Sequence, residues 1–149
     1  MMAEQVKIDW KSFLASADLI ESNLRFMGSM PKSLEFKSVL AIGRGGFILG
    51  SILSHKLELP LAAIITTRYS VDHKAGEIKV SPIIGSLEFP VLIVDDIVDD
   101  GTTLKSVIKA ISAEGRYMAV STVTKITLPN LFAPISVDKG SWVVFPWEK

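Results

Sequence analysis

The chain contains no cysteine, which excludes a disulfide framework and thiolate chemistry and fits a cytoplasmic protein. It has no excess of either charge: sixteen basic and sixteen acidic residues leave a formal net charge of zero. Nothing in that balance drives non-specific binding to nucleic acid. Histidine is scarce, and His73 has no His or Cys partner spaced for a metal site. No apolar run is long enough to span a bilayer, so no stable membrane insertion is expected. The opening residues, Met1 to Lys7, lack a signal-peptide core. Internal repeats and low-complexity tracts are absent too. What remains is 48% apolar over 149 residues, enough for a sizeable core in one domain spanning 1–149.

The chain is organised around Val91-Leu92-Ile93-Val94-Asp95-Asp96-Ile97-Val98-Asp99-Asp100-Gly101-Thr102-Thr103. Four consecutive apolar residues, three of them β-branched, read as a strand buried on both faces, as in a parallel sheet. The acidic turn then lies at the carboxyl end of the strand, where open α/β sheets bind ligands. Gly101, Thr102 and Thr103, at the start of a helix over Leu104 to Glu114, suit a phosphate. Asp95 and Asp96 suit ribose hydroxyls or a hard cation such as Mg²⁺. A helix-capping turn with Asp99 or Asp100 at the N-cap accounts for any one of these acids. It does not account for four carboxylates within six positions, whose repulsion needs a cation or donor.

Asp9 is positioned to cap a first helix. Trp10, Phe13, Leu14, Ala17, Ile20 and Leu24 line one face of it, and Gly28 and Pro31 end it. Ser38 to Ile42 reads as a buried strand feeding Gly43-Arg44-Gly45-Gly46 and a helix from Phe47 to Leu57. This is an anion-binding geometry without the ending of a nucleoside-triphosphate loop or the spacing of a dinucleotide fingerprint. Leu61 to Thr66 reads as a second buried strand. Residues 67–81 are polar and too long for a passive connector, so they are expected to form a lid containing Arg68, Tyr69 and a solvent-exposed His73. Ile83 to Gly85 and Leu87 to Phe89 suggest a short hairpin arm. Met118 to Thr124 forms another strand ending at Lys125, and an apolar strand over Ser141 to Trp147 closes the chain. Alone, Lys125 reads as a solvated strand-end gatekeeper and Trp142 as core.

Taken together, the acidic stretch and the glycine loop resemble type I phosphoribosyltransferases, and the ending Trp-Val-Val-Phe-Pro-Trp-Glu resembles the xanthine–guanine members. The resemblance implies an α/β fold, an open and mainly parallel twisted sheet flanked by helices. It adds a small base-recognition region over about 125–149. The implied reaction transfers ribose 5-phosphate from 5-phosphoribosyl 1-diphosphate to a 6-oxopurine, with Mg²⁺ as cofactor and pyrophosphate released. Arg44, Gly43, Gly45 and Gly46 would serve the pyrophosphate, across a bond into Arg44 that is often cis in the family. Asp95 and Asp96 would hold the ribose and the metal, and Asp99 would act as general acid or base at the purine N7. Asp100, Gly101, Thr102 and Thr103 would take the 5′-phosphate, and Arg68 and Tyr69 would close over it. Lys125 would read the 6-oxo group, Trp142 would stack on the ring, and the Val143 backbone would read the 2-position. The family usually carries Thr or Ser where this chain has Asp100, so Asp100 must point away or weaken phosphate binding. A cytoplasmic homo-oligomer follows by the same resemblance.

Three other readings share parts of this pattern. One is the same chemistry on another base, and one is a regulator that binds the diphosphate sugar without turnover. The third is a receiver-like or hydrolase-like domain using Asp95 and Asp96 only for Mg²⁺; a receiver-like domain would put its acid pair near the chain start and lacks a glycine loop with Arg44.

Overall fold

The computed structural model describes residues 4–27, 35–68 and 77–148. Along the chain run β1 (Gln5–Lys7), α1 (Trp10–Met27), β2 (Ser38–Gly43), α2 (Gly46–Leu57), β3 (Leu61–Arg68) and β4 (Ile78–Val80). Then come β5 (Val91–Val98), α3 (Thr102–Ala110), β6 (Tyr117–Thr124), β7 (Leu131–Phe132), β8 (Ile135–Ser136) and β9 (Trp142–Val144). The main sheet is ordered β4-β3-β2-β5-β6-β7, with β8 also paired to β6. All its pairings are parallel except β3 with β4. This is the open, mainly parallel α/β sheet expected. β1 and β9 form a separate parallel pair with Val6 opposite Val143. No helix among the described residues is long and apolar enough to cross a membrane.

The central strands are continuous apolar runs because both faces are covered. On one face, Phe13, Ala17, Ile20 and Leu24 of α1 and Leu49 and Leu53 of α2 meet Val39, Leu92, Val94, Val120 and Val123. On the other, Leu104, Val107 and Ile108 of α3 meet Leu40, Ile42, Ala62, Ile64, Val91 and Ile93. Alternate residues of one strand therefore feed different cores. Asp9 caps α1 as expected, its Oδ1 accepting the Ser12 N–H at 2.7 Å.

Several expectations are corrected. Trp10 and Leu14 are each about half exposed, so the buried stripe of α1 is narrower and begins at Phe13. β3 runs to Arg68 and is buried only in alternation, with Leu61 and Ile65 exposed. It lies next to the edge strand, and α2 packs chiefly over β2 and β5. The ends of the 67–81 segment are ladder rather than loop: Thr66, Thr67 and Arg68 pair with Val80, Lys79 and Ile78. Residues 69–76, with Tyr69 and His73, lie outside the described residues, as do Gly28 and Pro31.

No hairpin forms over residues 83–89. Ile84 makes one isolated bridge to Ala63, while the Ser38 hydroxyl holds both backbone groups of Glu88, at 2.6 and 3.0 Å. A side chain has taken the place of a ladder partner there. α3 stops at Ala110, short of Glu114, because Ser112 turns left-handed (φ 54°) and the Ala113 N–H folds back to the Ile108 carbonyl. The final strand covers only Trp142–Val144. β1, too short for a periodicity signal, was not anticipated.

Candidate active site

β5 carries its ladder past both first acids, with Asp95 opposite Ser121 and Val98 opposite Thr124. Asp95 and Asp96 thus project from the rigid end of the central strand. Each accepts the next backbone N–H: Asp95 Oδ1 takes that of Asp96 at 2.8 Å and Asp96 Oδ1 that of Ile97 at 2.7 Å. Burial, and then the Asp96 charge, push the Asp95 carboxyl well above the usual carboxylate range. Burial also raises Asp96, against the Asp95 and Ile97 contacts that favour its ionised form. Among the described residues, neither is ion-paired to a basic side chain.

A divalent cation fits this deficit of positive charge. No cluster of three or more His, Cys, Asp or Glu side chains poised for a metal occurs among the described residues. Two carboxylates, completed by water and substrate oxygens, are the donor set Mg²⁺ commonly takes. Asp95 and Asp96 would hold it.

The glycine loop packs directly on this pair. A Cβ at Gly45 would overlap the Asp96 carboxylate, and one at Gly46 would lie 2.6 Å from the Val94 carbonyl oxygen and 2.9 Å from Asp95 Cα. Only bare backbone lets α2 begin this close to β5. The Gly43–Arg44 peptide is cis, as the resemblance implied.

Two cavities meet at Gly45 and Asp96. The first, about 310 Å³, is lined by Gly43, Arg68 and Asp95 together with Asp99, Asp100, Gly101 and Thr103, and walled by Ile42, Thr66, Ile97, Val98 and Leu104. The second, about 650 Å³, is lined by Arg44, Ile48, Trp147 and Glu148. At the mouth of the first, Gly101 takes the N-cap position of α3 with φ 84°. Asp100 Oδ1 accepts the Thr102 N–H at 2.9 Å. That bond, and the charge of Arg68, hold the Asp100 carboxyl below its usual range.

Lys125 follows β6, its N–H bonded to the Val98 carbonyl at 2.9 Å. Its side chain is only 11% exposed and its Nζ lies 3.6 Å from Asp99 Oδ1, an ion pair. It is therefore no solvated gatekeeper. Trp142 is no core residue either: it is 66% exposed and lines neither cavity. Val143 is half-buried in β9 and likewise off both linings.

The structure thus gathers the acidic stretch, both loops, Arg68 and Lys125, and leaves Trp142 and Val143 on the neighbouring strand pair. Ile48, Trp147 and Glu148 escaped the sequence reading. The signal for Trp147 was present in its motif, since it stacks on Phe145 at 4.9 Å and meets Phe13 edge-on at 5.1 Å.

Comparison with known proteins gives concordant results. The profile of the phosphoribosyl transferase domain matches residues 12–130. A xanthine-guanine phosphoribosyltransferase of Desulfotalea psychrophila is 28% identical over 115 residues, covering 76% of this chain and 71% of that protein. The structure superposes on a purine phosphoribosyltransferase from Pyrococcus horikoshii with a TM-score of 0.78 at 24% identity, covering 98% and 95% of the two chains. It superposes on the xanthine-guanine-hypoxanthine phosphoribosyltransferase of Helicobacter pylori with a TM-score of 0.74 at 21% identity, covering 97% and 94%.

Proposed function

The chain belongs to the phosphoribosyl transferase domain family, and we propose that it is a purine-salvage enzyme working on 6-oxopurines. It would transfer ribose 5-phosphate from 5-phosphoribosyl 1-diphosphate to guanine, xanthine or hypoxanthine and release pyrophosphate. The observation that carries this reading is the half-buried Asp95–Asp96 pair, without a cationic partner among the described residues, between two anion-binding loops.

In this reaction negative charge grows on the departing diphosphate and positive character on the ribose ring. Fixed cationic donors are needed at the first and carboxylates near the second. Arg44 and the Gly45 and Gly46 amides, next to Gly43, would serve the diphosphate. Asp95 and Asp96 serve the ribose hydroxyls, and Mg²⁺ bound there would screen the diphosphate charge. The loop Asp100 to Thr103 takes the 5′-phosphate. Arg68, held in the β3–β4 ladder, lines this cavity already, and Tyr69 just beyond it would help to exclude water.

The Asp99–Lys125 pair suits a 6-oxopurine. Lys125 Nζ only donates hydrogen bonds, so it favours the 6-oxo acceptor over the 6-amino group of adenine. Asp99 beside it can hold or release a proton at the adjacent N7. Trp142 would stack on the ring and the Val143 backbone would meet the 2-position. The reading takes the enzyme as a single domain, a cytoplasmic homo-oligomer without a nucleic-acid partner.

The test is pyrophosphate release with 5-phosphoribosyl 1-diphosphate, Mg²⁺ and a panel of guanine, xanthine, hypoxanthine, adenine, uracil and orotate. Turnover confined to the 6-oxopurines is expected. Turnover with a pyrimidine would overturn the base assignment. Tight diphosphate binding without turnover on any base would favour the regulator.

A further inference from the structure

We propose that Asp100 sets how weakly the first-cavity loop captures the sugar phosphate, by competing with it for the Thr102 amide. The inference rests on the loop being the 5′-phosphate site. Asp100 lines the first cavity beside Gly101 and Thr103, and its carboxylate already occupies the Thr102 N–H at 2.9 Å. That amide opens α3 and is one of the donors an incoming phosphate needs, because the first helical N–H groups have no partner within the helix. A phosphate must therefore displace the carboxylate or do without the amide. In either case it binds beside a like charge.

Arg68 supplies the compensation. It sits at the end of β3, lines the same cavity, and its charge bears on Asp100. With the phosphate absent, the Thr102 amide bonds the Asp100 carboxylate and the Arg68 charge favours its ionised form. With it present, the Arg68 guanidinium has two anions to balance. The loop is thereby tuned to weak, readily reversed capture of the phosphate, and Arg68 becomes more important than it would be beside a neutral hydroxyl.

The experiment is calorimetric titration of the full chain with ribose 5-phosphate, which reads the loop without requiring turnover. Asp100→Thr removes the charge and keeps a short side chain, and should tighten binding on the order of tenfold, the size of one hydrogen bond to a charged group. Asp100→Asn keeps the acceptor for the Thr102 amide and loses only the charge, so it should fall between the two. Arg68→Met should cost several-fold more affinity with Asp100 present than in the Asp100→Thr background. Ribose 5-phosphate binding left unchanged or weakened by Asp100→Thr would overturn this inference and leave the transferase reading intact. No binding to the wild type or to any Asp100 variant would overturn both.

Discussion

Replacing Gly46 with alanine adds one methyl group where α2 begins on β5. The new Cβ would lie 2.6 Å from the Val94 carbonyl oxygen and 2.9 Å from Asp95 Cα. Both are backbone atoms of the central strand, which is held by β2 on one side and β6 on the other. Neither can rotate away. Relief comes only by moving the first turn of α2 about 0.8 Å outward, to the 3.4 Å of ordinary contact. Such overpacking costs about 1–3 kcal/mol, partly offset because alanine is the better helix former. In a chain of this size a thermal midpoint lowered by roughly 2–10 °C is expected. The same displacement carries Arg44 and the Gly45 amide away from the proposed diphosphate site. Misplacement by nearly an ångström should lower kcat/KM for 5-phosphoribosyl 1-diphosphate on the order of ten- to a hundredfold. Gly140→Ala is the control, since a Cβ there meets nothing within 4 Å. Differential scanning fluorimetry and initial rates over a diphosphate series read both effects. A Gly46→Ala protein with the wild-type midpoint and KM would refute the argument that bare backbone is required at this contact.

Three further outcomes follow from the site. Asp95→Asn should raise the thermal midpoint in metal-free buffer while abolishing the stabilisation that Mg²⁺ with the diphosphate gives the wild type. The Asp95 pKa is raised in the fold, so its ionisation costs stability as pH climbs from the unfolded carboxylate value through the raised one; the variant should lose that downward slope, and an identical stability–pH curve would contradict it. Asp99→Asn should cut turnover about 10²- to 10⁴-fold while sparing diphosphate binding, and full activity would remove Asp99 from its role. Lys125→Met should raise KM for 6-oxopurines on the order of tenfold or more and narrow the preference over adenine; an unchanged base panel would count against Lys125.

Much of the layout was legible in the sequence because the two strongest signals are local. The apolar run at Val91 and the acids after it mark strand end and loop by composition alone, and the glycine run at Gly43 does the same for its partner strand. Less legible was whatever depends on what covers a strand. Leu61 and Ile65 look like core residues, yet they face outward because β3 lies near the sheet edge. The reach of β3 to Arg68 depends on β4, a long-range partner whose three residues have no periodicity of their own. Asp100 shows the same limit inside the site. Its type signalled a conflict with phosphate, but only the bond to the Thr102 amide shows which donor is taken. Glu148 faces the second cavity because Trp147 packs on Phe13, and that contact spans nearly the whole chain.

The placement of the aromatic residues has an optical consequence. All three tryptophans, Trp10, Trp142 and Trp147, lie on β9, just after it or just after β1, and none lies in the main sheet. Intrinsic emission therefore reports the environment of the small strand pair and of the α1 end that Trp147 covers. The far-ultraviolet signal comes mostly from the large sheet and the helices. If the strand pair detaches first in denaturant, the fluorescence transition will precede the dichroic one. The spectral lag would then measure directly how independently the strand pair opens.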